Sequence, residues 1–357
     1  MFNATRAGIR RRNAIGILAA ALLVLVGCSG QPEEPATEIV EVPPEVVVAK
    51  AAPPEPAAVI GWPLTGVPGE VVERPAMSIK IENSNASRPQ TGLQAADVVW
   101  EQMVEGGITR FNAVYHSTLP AEVGPVRSVR PMDAGISAPY GGLIVFSGGQ
   151  SPFVQAVRDA GLQVLSHDGG QAGFYRTPDR FAPHNLYGTP QEFLDQADDS
   201  HSAPPPEQFA FARTAEAASA VTAGTAAGSI AVHFPQAHPG WTWDAGQGLW
   251  LRTEDGAPAT TSDTGQLTAV NVVVLRVDVV TTSYTDPSGA SVPETVMAGS
   301  GEAVVATGGR TITGTWTKPD DASPVTLTTA DGAVIRLAPG NTWVELLPTS
   351  TGSISIG

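Results

Sequence analysis

Apolar and polar side chains alternate in short runs through most of this chain, and a long unbroken apolar stretch occurs only near its start. A period of two predicts half-buried strands. It predicts them over 77–81, 98–104 and 108–116, the last two joined at Gly106-Gly107 as a tight hairpin. Residues 91–96 read as a turn and 131–140 as a helix. A short apolar strand over 143–146 runs into Gly148-Gly149. Ser151 then caps a helix over 151–160 with Pro152 at its first position, and a strand follows over 162–165. This strand-turn-helix-strand order implies an α/β layer with some antiparallel pairing. A helix over 190–197, a proline-rich connector at 202–207 and a weakly helical stretch over 214–223 come next. From 229 onward strands dominate: 230–234, 241–244, 249–253, 270–280, 295–297, 303–306, 310–316, 325–328, 334–337 and 342–346. Turns such as Asp255-Gly256 and Asp331-Gly332 separate them. The expected fold is α+β. An N-terminal α/β domain with a mixed sheet covers 61–200, a linker covers 201–228, and a smaller, mostly β domain covers 229–357.

The first sixty residues follow another pattern. Arg6, Arg10, Arg11 and Arg12 precede 13 apolar residues at 14–26, which suits a signal peptide and is short for a membrane span. Leu25-Val26-Gly27-Cys28 follows directly, and Cys28 is the single cysteine of the chain. A bacterial lipobox needs a cysteine at that position. The expectation is a lipoprotein signal peptide over 1–27, lipidation at Cys28, and anchoring on the outer face of the bacterial cytoplasmic membrane. One cysteine excludes an intrachain disulfide. Residues 28–60, rich in Pro, Glu, Ala and Val, read as an extended tether.

Charge narrows the partners. The formal net charge is −15, and loss of a leader carrying four arginines and no acid would make it −19. Such an acidic chain argues against nucleic acid. Residues 74–184 stand apart, because their basic and acidic side chains balance and all but one of the bases are arginine. Arginine's planar fork suits bidentate contact with carboxylate or phosphate.

Chemistry-bearing residues concentrate between Glu101 and Asn185. Arg127 and Arg130 lie in a segment bounded by Gly124-Pro125 and Pro131, so an irregular loop is expected. They read equally as anion ligands or as partners of Glu101 and Glu105. Those two glutamates are four apart in an expected strand, so both can face one side, as acid/base groups or as counter-charges for Arg110, Arg127 and Arg130. Gly148-Gly149-Gln150-Ser151 joins a strand to a helix, where backbone N–H groups can hold an anion or where Ser151 is a plain cap. His184, between Pro183 and Asn185 with Arg180 upstream, is either an acid/base or anion donor or a loop pin. Trp241, Trp243 and Trp250 alternate on a strand pair, either as core or as a surface for glycans. No P-loop and no zinc spacing occur, so neither cofactor nor metal is expected.

Several motifs carry a family resemblance. Pro63-Leu64-Thr65-Gly66, Arg88-Pro89-Gln90-Thr91-Gly92-Leu93, Glu105-Gly106-Gly107-Ile108-Thr109-Arg110, Gly124-Pro125-Val126-Arg127-Ser128-Val129-Arg130-Pro131 and Ala182-Pro183-His184-Asn185 resemble the YerB-like bacterial lipoproteins. The likeness continues at Gly314-Thr315-Trp316-Thr317-Lys318 and Pro339-Gly340-Asn341-Thr342-Trp343. It implies an exported lipoprotein with an N-terminal α/β part and a smaller β part, and it brings no established reaction.

The leading expectation is a module that binds an anionic envelope ligand, such as a cell-wall glycan or a phosphorylated or carboxylated small molecule. Arg88, Arg110, Arg127, Arg130 and Arg180 would hold the anion, Asn83, His184 and Asn185 would orient it, and Glu101, Gly149 and Ser151 would complete the site. The alternatives are an envelope hydrolase or transferase using Glu105 and His184 as acid/base, and a structural or assembly lipoprotein.

Overall fold

The computed structural model describes residues 61–357. The expected leader, Cys28 and the expected tether lie outside the described residues. In the first half, β1 (Met77–Glu82) pairs antiparallel with β3 (Thr109–Tyr115) and parallel with β4 (Leu143–Phe146). Strand β2 (Val98–Met103) flanks β3, and β5 (Gln163–Ser166) lies parallel beyond β4. The sheet is therefore mixed. Parallel neighbours need a crossover, and α2 (Ser151–Asp159) supplies it between β4 and β5. Helix α1 (Asp133–Ser137) leads from β3 toward β4.

The second half extends this sheet. Thr342–Pro348 pairs in parallel with β2, in a register that sets Glu345 beside Glu101. Asn271–Val277, Gly299–Thr307, Arg310–Lys318 and Thr326–Thr328 follow outward, giving an eleven-stranded sheet. A six-stranded sheet built around Ser229–His233, Pro239–Asp244 and Leu249–Glu254 packs against one face of it. Ile79, Ile81, Val99 and Phe111 meet Ile230, Val232, Trp241, Trp250 and Trp343 in that core. On the opposite face, Met132, Ile136 and Tyr140 pack on Val98, Trp100 and Val114. The fold is α+β with a β-rich C-terminal part, as expected. Trp241 and Trp250 are buried and Trp243 is half-buried against Trp250, so the three do not form a glycan surface.

Some boundaries shift for physical reasons. Ser151 is the first residue of α2 rather than its cap; Gln150 occupies the extended cap position and its side chain makes no capping bond. The helix expected over 131–140 is a short α1 followed by a 3₁₀ turn at Ala138–Tyr140, because Pro139 cannot donate to a continuing α-helix. The strand expected over 270–280 breaks at Asp278. Val279–Thr285 leaves the sheet and pairs with Ser291–Thr295 as a separate hairpin. Residues 334–337 make only isolated bridges, through Val334 and Leu337.

The turn between β2 and β3 holds as a tight reversal. Gly106 and Gly107 adopt φ of 71° and 77°, a left-handed region that few side chains tolerate. It closes the register Met103↔Thr109 and swings Glu105 out of the strand.

Candidate functional site

Strand alternation sorts the charged residues onto two faces. In β1, Ser78, Lys80 and Glu82 point one way, while Ile79 and Ile81 point into the core between the sheets. Across the ladder, Glu82 stands opposite Arg110 and Lys80 opposite Asn112. Gln102 of β2 is the other neighbour of Arg110. One face of three central strands is therefore polar at one end, and α1 and the loop at 124–130 cover it.

The innermost layer is a buried ion pair. Lys80 Nζ lies 2.6 Å from Asp133 Oδ1, with both side chains fully buried. Gln102 and Asn112 donate to the same oxygen at 3.0 and 3.1 Å, and the Arg130 backbone N–H donates to Oδ2 at 2.7 Å. Burial brings the Lys80 ammonium down to about 8, with Asp133 opposing the shift.

Above it sit the arginines. Arg130 holds Glu105 with two nitrogens, one contact from Nε and one of 2.9 Å from the guanidinium terminus. Arg110 is buried and donates to the Ser128 carbonyl at 3.1 Å, while its contact with Glu105 is 4.0 Å. Burial and the neighbouring charge of Arg130 push its guanidinium down to about 9; Arg127 adds to this and Glu105 and Glu82 oppose it. An arginine keeps its charge at such a value near neutral pH. Arg127 lies outermost. Its Nε is buried without a hydrogen bond, 3.5 Å from Glu82 Oε2. Glu82 in turn receives His184 Nδ1 at 2.9 and 3.0 Å and the Ser84 hydroxyl at 2.9 Å. The His184 side chain is 29% exposed. Four fixed cations (Lys80, Arg110, Arg127, Arg130) thus meet three carboxylates (Glu82, Glu105, Asp133), leaving a positive excess in an acidic chain.

The opposite face carries a second cluster. Arg252 is fully buried and reaches Glu101 at 2.6 Å, Glu254 at 3.0 Å and Glu345 at 3.1 Å. It stacks on Trp343, with 4.5 Å to the ring centre. Burial opposes its charge, but the three carboxylates outweigh burial and hold the guanidinium above its usual value. Glu345 is pushed well up by burial and by Glu101, and Glu254 is raised by burial against the pull of Arg252. Asn83 joins this network through Glu101 and Thr109. Arg88 bonds Asn83 and lies 3.1 Å from Glu254. A cavity of about 270 Å³ opens between Arg88, Gln90, Arg252, Glu254 and Thr260.

The sequence-derived site therefore divides. Arg110, Arg127, Arg130, Glu105 and His184 belong to the first cluster, while Asn83, Arg88 and Glu101 belong to the second. Glu101 and Glu105 do not share a side, because β2 ends at Met103 and Glu105 sits in the glycine turn. Glu105 is held by Arg130, and the carboxylate beside His184 is Glu82. Arg180 and Asn185 brace the His184 loop: Arg180 donates to the carbonyls of Ala86 and Pro89, and Asn185 bridges Arg176 and Thr177. Gly149 is closely approached by Val129, and Ser151 is exposed at the start of α2. Lys80, Glu82, Asp133, Arg252, Glu254 and Glu345 were not singled out in the sequence. The signal for the first two was present, since Lys80 and Glu82 alternate with isoleucines in one strand. Arg252 and Glu254 share the buried face of Leu249–Glu254 with Trp250, so period two there places charges on a core face.

Comparison with known proteins finds relatives of the chain and of its fold. The N-terminal domain of the family described as "Protein of unknown function (DUF3048)" matches residues 64–203, and its C-terminal domain matches 230–344. The curated protein named "Putative lipoprotein YerB", from Bacillus subtilis (strain 168), is 36% identical over 154 residues, 42% of this chain and 45% of that protein. The chain thus matches less than half of that relative's length. A crystal structure of the YerB protein from Bacillus subtilis shares the fold, with a TM-score of 0.70 at 23% identity over 83% of this chain and 99% of that one.

Proposed function

We propose, for a chain that belongs to the DUF3048 family of proteins of unknown function, that the cluster around Arg110 and Arg127 binds an anionic ligand of the cell envelope. One observation carries this reading. Arg110 is buried beside two other arginines with a single hydrogen bond to Ser128, and the Nε of Arg127 is buried with none. Like charges crowded together with unused donors gain from an anion that accepts from both. Ser128 and Ser147, whose hydroxyls lie 3.2 Å apart, flank Arg127 as neutral donors, the Ser147 N–H bonding the Arg127 carbonyl at 3.0 Å.

Residues 1–28 add the address. A lipoprotein signal ending at Cys28, together with a relative named as a lipoprotein, supports a membrane-anchored protein on the outer face of the cytoplasmic membrane. The ligand is then a phosphorylated or carboxylated component of the envelope, a cell-wall glycan among them.

Inorganic phosphate is the simplest probe. Arg127→Ala is expected to weaken phosphate binding by about tenfold or more, the worth of a charge-assisted hydrogen bond. Titration calorimetry on wild type and variant measures this; equal affinities would remove the site.

A second reading rests on the His184–Glu82 contact. A buried carboxylate that fixes Nδ1 leaves the other imidazole nitrogen free for proton transfer. An envelope hydrolase or transferase would use that pair, with Glu105 reserved for Arg130. His184→Ala distinguishes the readings: turnover lost with binding kept supports the enzyme, whereas binding alone altered supports the module.

A further inference from the structure

Phe181 is 91% exposed, the most exposed large hydrophobic side chain among the described residues. It is not on a free end. Its carbonyl accepts from the His184 backbone N–H at 2.9 Å, so the ring stands one tight turn from the histidine that rests on Glu82. The loop carrying it is braced at several points. Thr177 and Asn185 are joined by a backbone bond of 3.0 Å and by the Asn185 side-chain amide at 3.2 Å. Arg176 donates to Asn185 at 2.8 Å, and Arg180 ties the loop to the carbonyls of Ala86 and Pro89. A second aromatic, Tyr175, is 38% exposed on the strand that leads into this loop.

A phenylalanine left in water gives up its burial free energy. A single exposed apolar residue is ordinary on a surface. A ring this exposed, on a hydrogen-bonded loop whose histidine rests on the Glu82 that also faces Arg127, is a different case. The loop backbone leaves little freedom for a ligand to freeze, so the aromatic side chain is offered from a fixed point. Aromatic faces pair with flat or C–H-lined ring faces, while the arginines take the charge.

We propose that the ligand of the Arg110–Arg127 site is an anionic group carried on a ring, and that Phe181 is the platform against which this ring stacks. The inference rests on the anion-binding reading above. It assigns recognition to two parts: the arginines hold phosphate or carboxylate, and Phe181 selects what the anion is attached to. Both a sugar ring and a nucleobase offer the required face.

The test uses the whole protein with three probes: inorganic phosphate, glucose 6-phosphate and uridine monophosphate. At least one ring-bearing phosphate is expected to bind about tenfold tighter than inorganic phosphate. Phe181→Ala is expected to erase that advantage and leave inorganic phosphate unchanged, while Phe181→Trp keeps the advantage. Whichever ring phosphate gains identifies the source as sugar or base. The proposal is overturned if neither ring phosphate gains over phosphate, if Phe181→Ala leaves the gain intact, or if it weakens all three probes equally. Absence of binding by all three in the wild type removes the anion site itself, and this inference with it.

Discussion

Arg252→Met is expected to lower the stability of the fold by about 3–5 kcal/mol at neutral pH, the usual cost of removing one partner from a buried charge cluster. Glu101, Glu254 and Glu345 converge on this guanidinium, and each is almost wholly buried. Without it, Glu101 keeps Thr109 and Asn83 as donors but has no counter-charge at its second oxygen. The pH dependence has a definite sign. Glu254 and Glu345 are already raised in the folded state. Folded protein therefore binds their protons more tightly than unfolded protein does. The stability this contributes is full below the unfolded value near ~4.3 and is lost as pH rises through the folded values. Removing Arg252 takes away the interaction that lowers both, so the deficit of the variant should shrink on acidification. Glu345→Gln, which mimics the protonated carboxyl, should cost far less than Arg252→Met. Urea unfolding at several pH values measures all three quantities. A deficit that is flat with pH would contradict the account.

Asp133→Asn is the second large effect, again about 3–5 kcal/mol at neutral pH by the same reasoning. The amide preserves shape but leaves Lys80 buried without a counter-charge, and it disturbs the donors from Gln102, Asn112 and the Arg130 backbone. Lys80 is already down at about 8 through burial against the pull of Asp133, so losing Asp133 lowers it further. A lysine depressed in the folded state makes folded protein bind fewer protons than unfolded protein. Stability then rises with pH from the folded value up to the unfolded value near ~10.4. Measured against wild type by thermal unfolding, the variant should recover part of its loss as pH rises toward about 8, above which both proteins gain alike. Recovery on acidification instead would exclude a stranded ammonium as the cause. Because Asp133 accepts from the Arg130 backbone, anion binding should weaken in the same variant.

In both effects the buried charges include strand residues, Arg252, Glu345 and Lys80, that local pattern reading treats as ordinary. Period-two alternation was enough to place β1, β2 and β3, and the glycine pair was enough to place their hairpin. The same alternation marks Lys80 and Glu82 as facing away from Ile79 and Ile81, but it gives no reason to expect that face to be covered. Only the return of the loop at 124–130 and of α1 over the sheet buries Lys80. Glu345 and Arg252 are further out of reach of local pattern. Their roles depend on the strand Thr342–Pro348 pairing with β2 across more than two hundred residues of sequence. Glu101 and Glu105 show the opposite case. Their spacing suggested a shared side, yet one turn of backbone sends them to opposite faces. Arg110, Arg127, Arg130 and His184 were legible as a group because they cluster in sequence, and the fold keeps them together.

The most direct measurement is a phosphate titration of the whole protein followed by NMR at the arginine side chains. Saturable shifts are expected at Arg110 and Arg127, accompanied by His184, with Arg252 unmoved. In Arg127→Ala the shift at Arg110 should require about tenfold more phosphate. Shifts that fail to saturate, or that appear equally at exposed arginines such as Arg158 and Arg213, would contradict a built anion site.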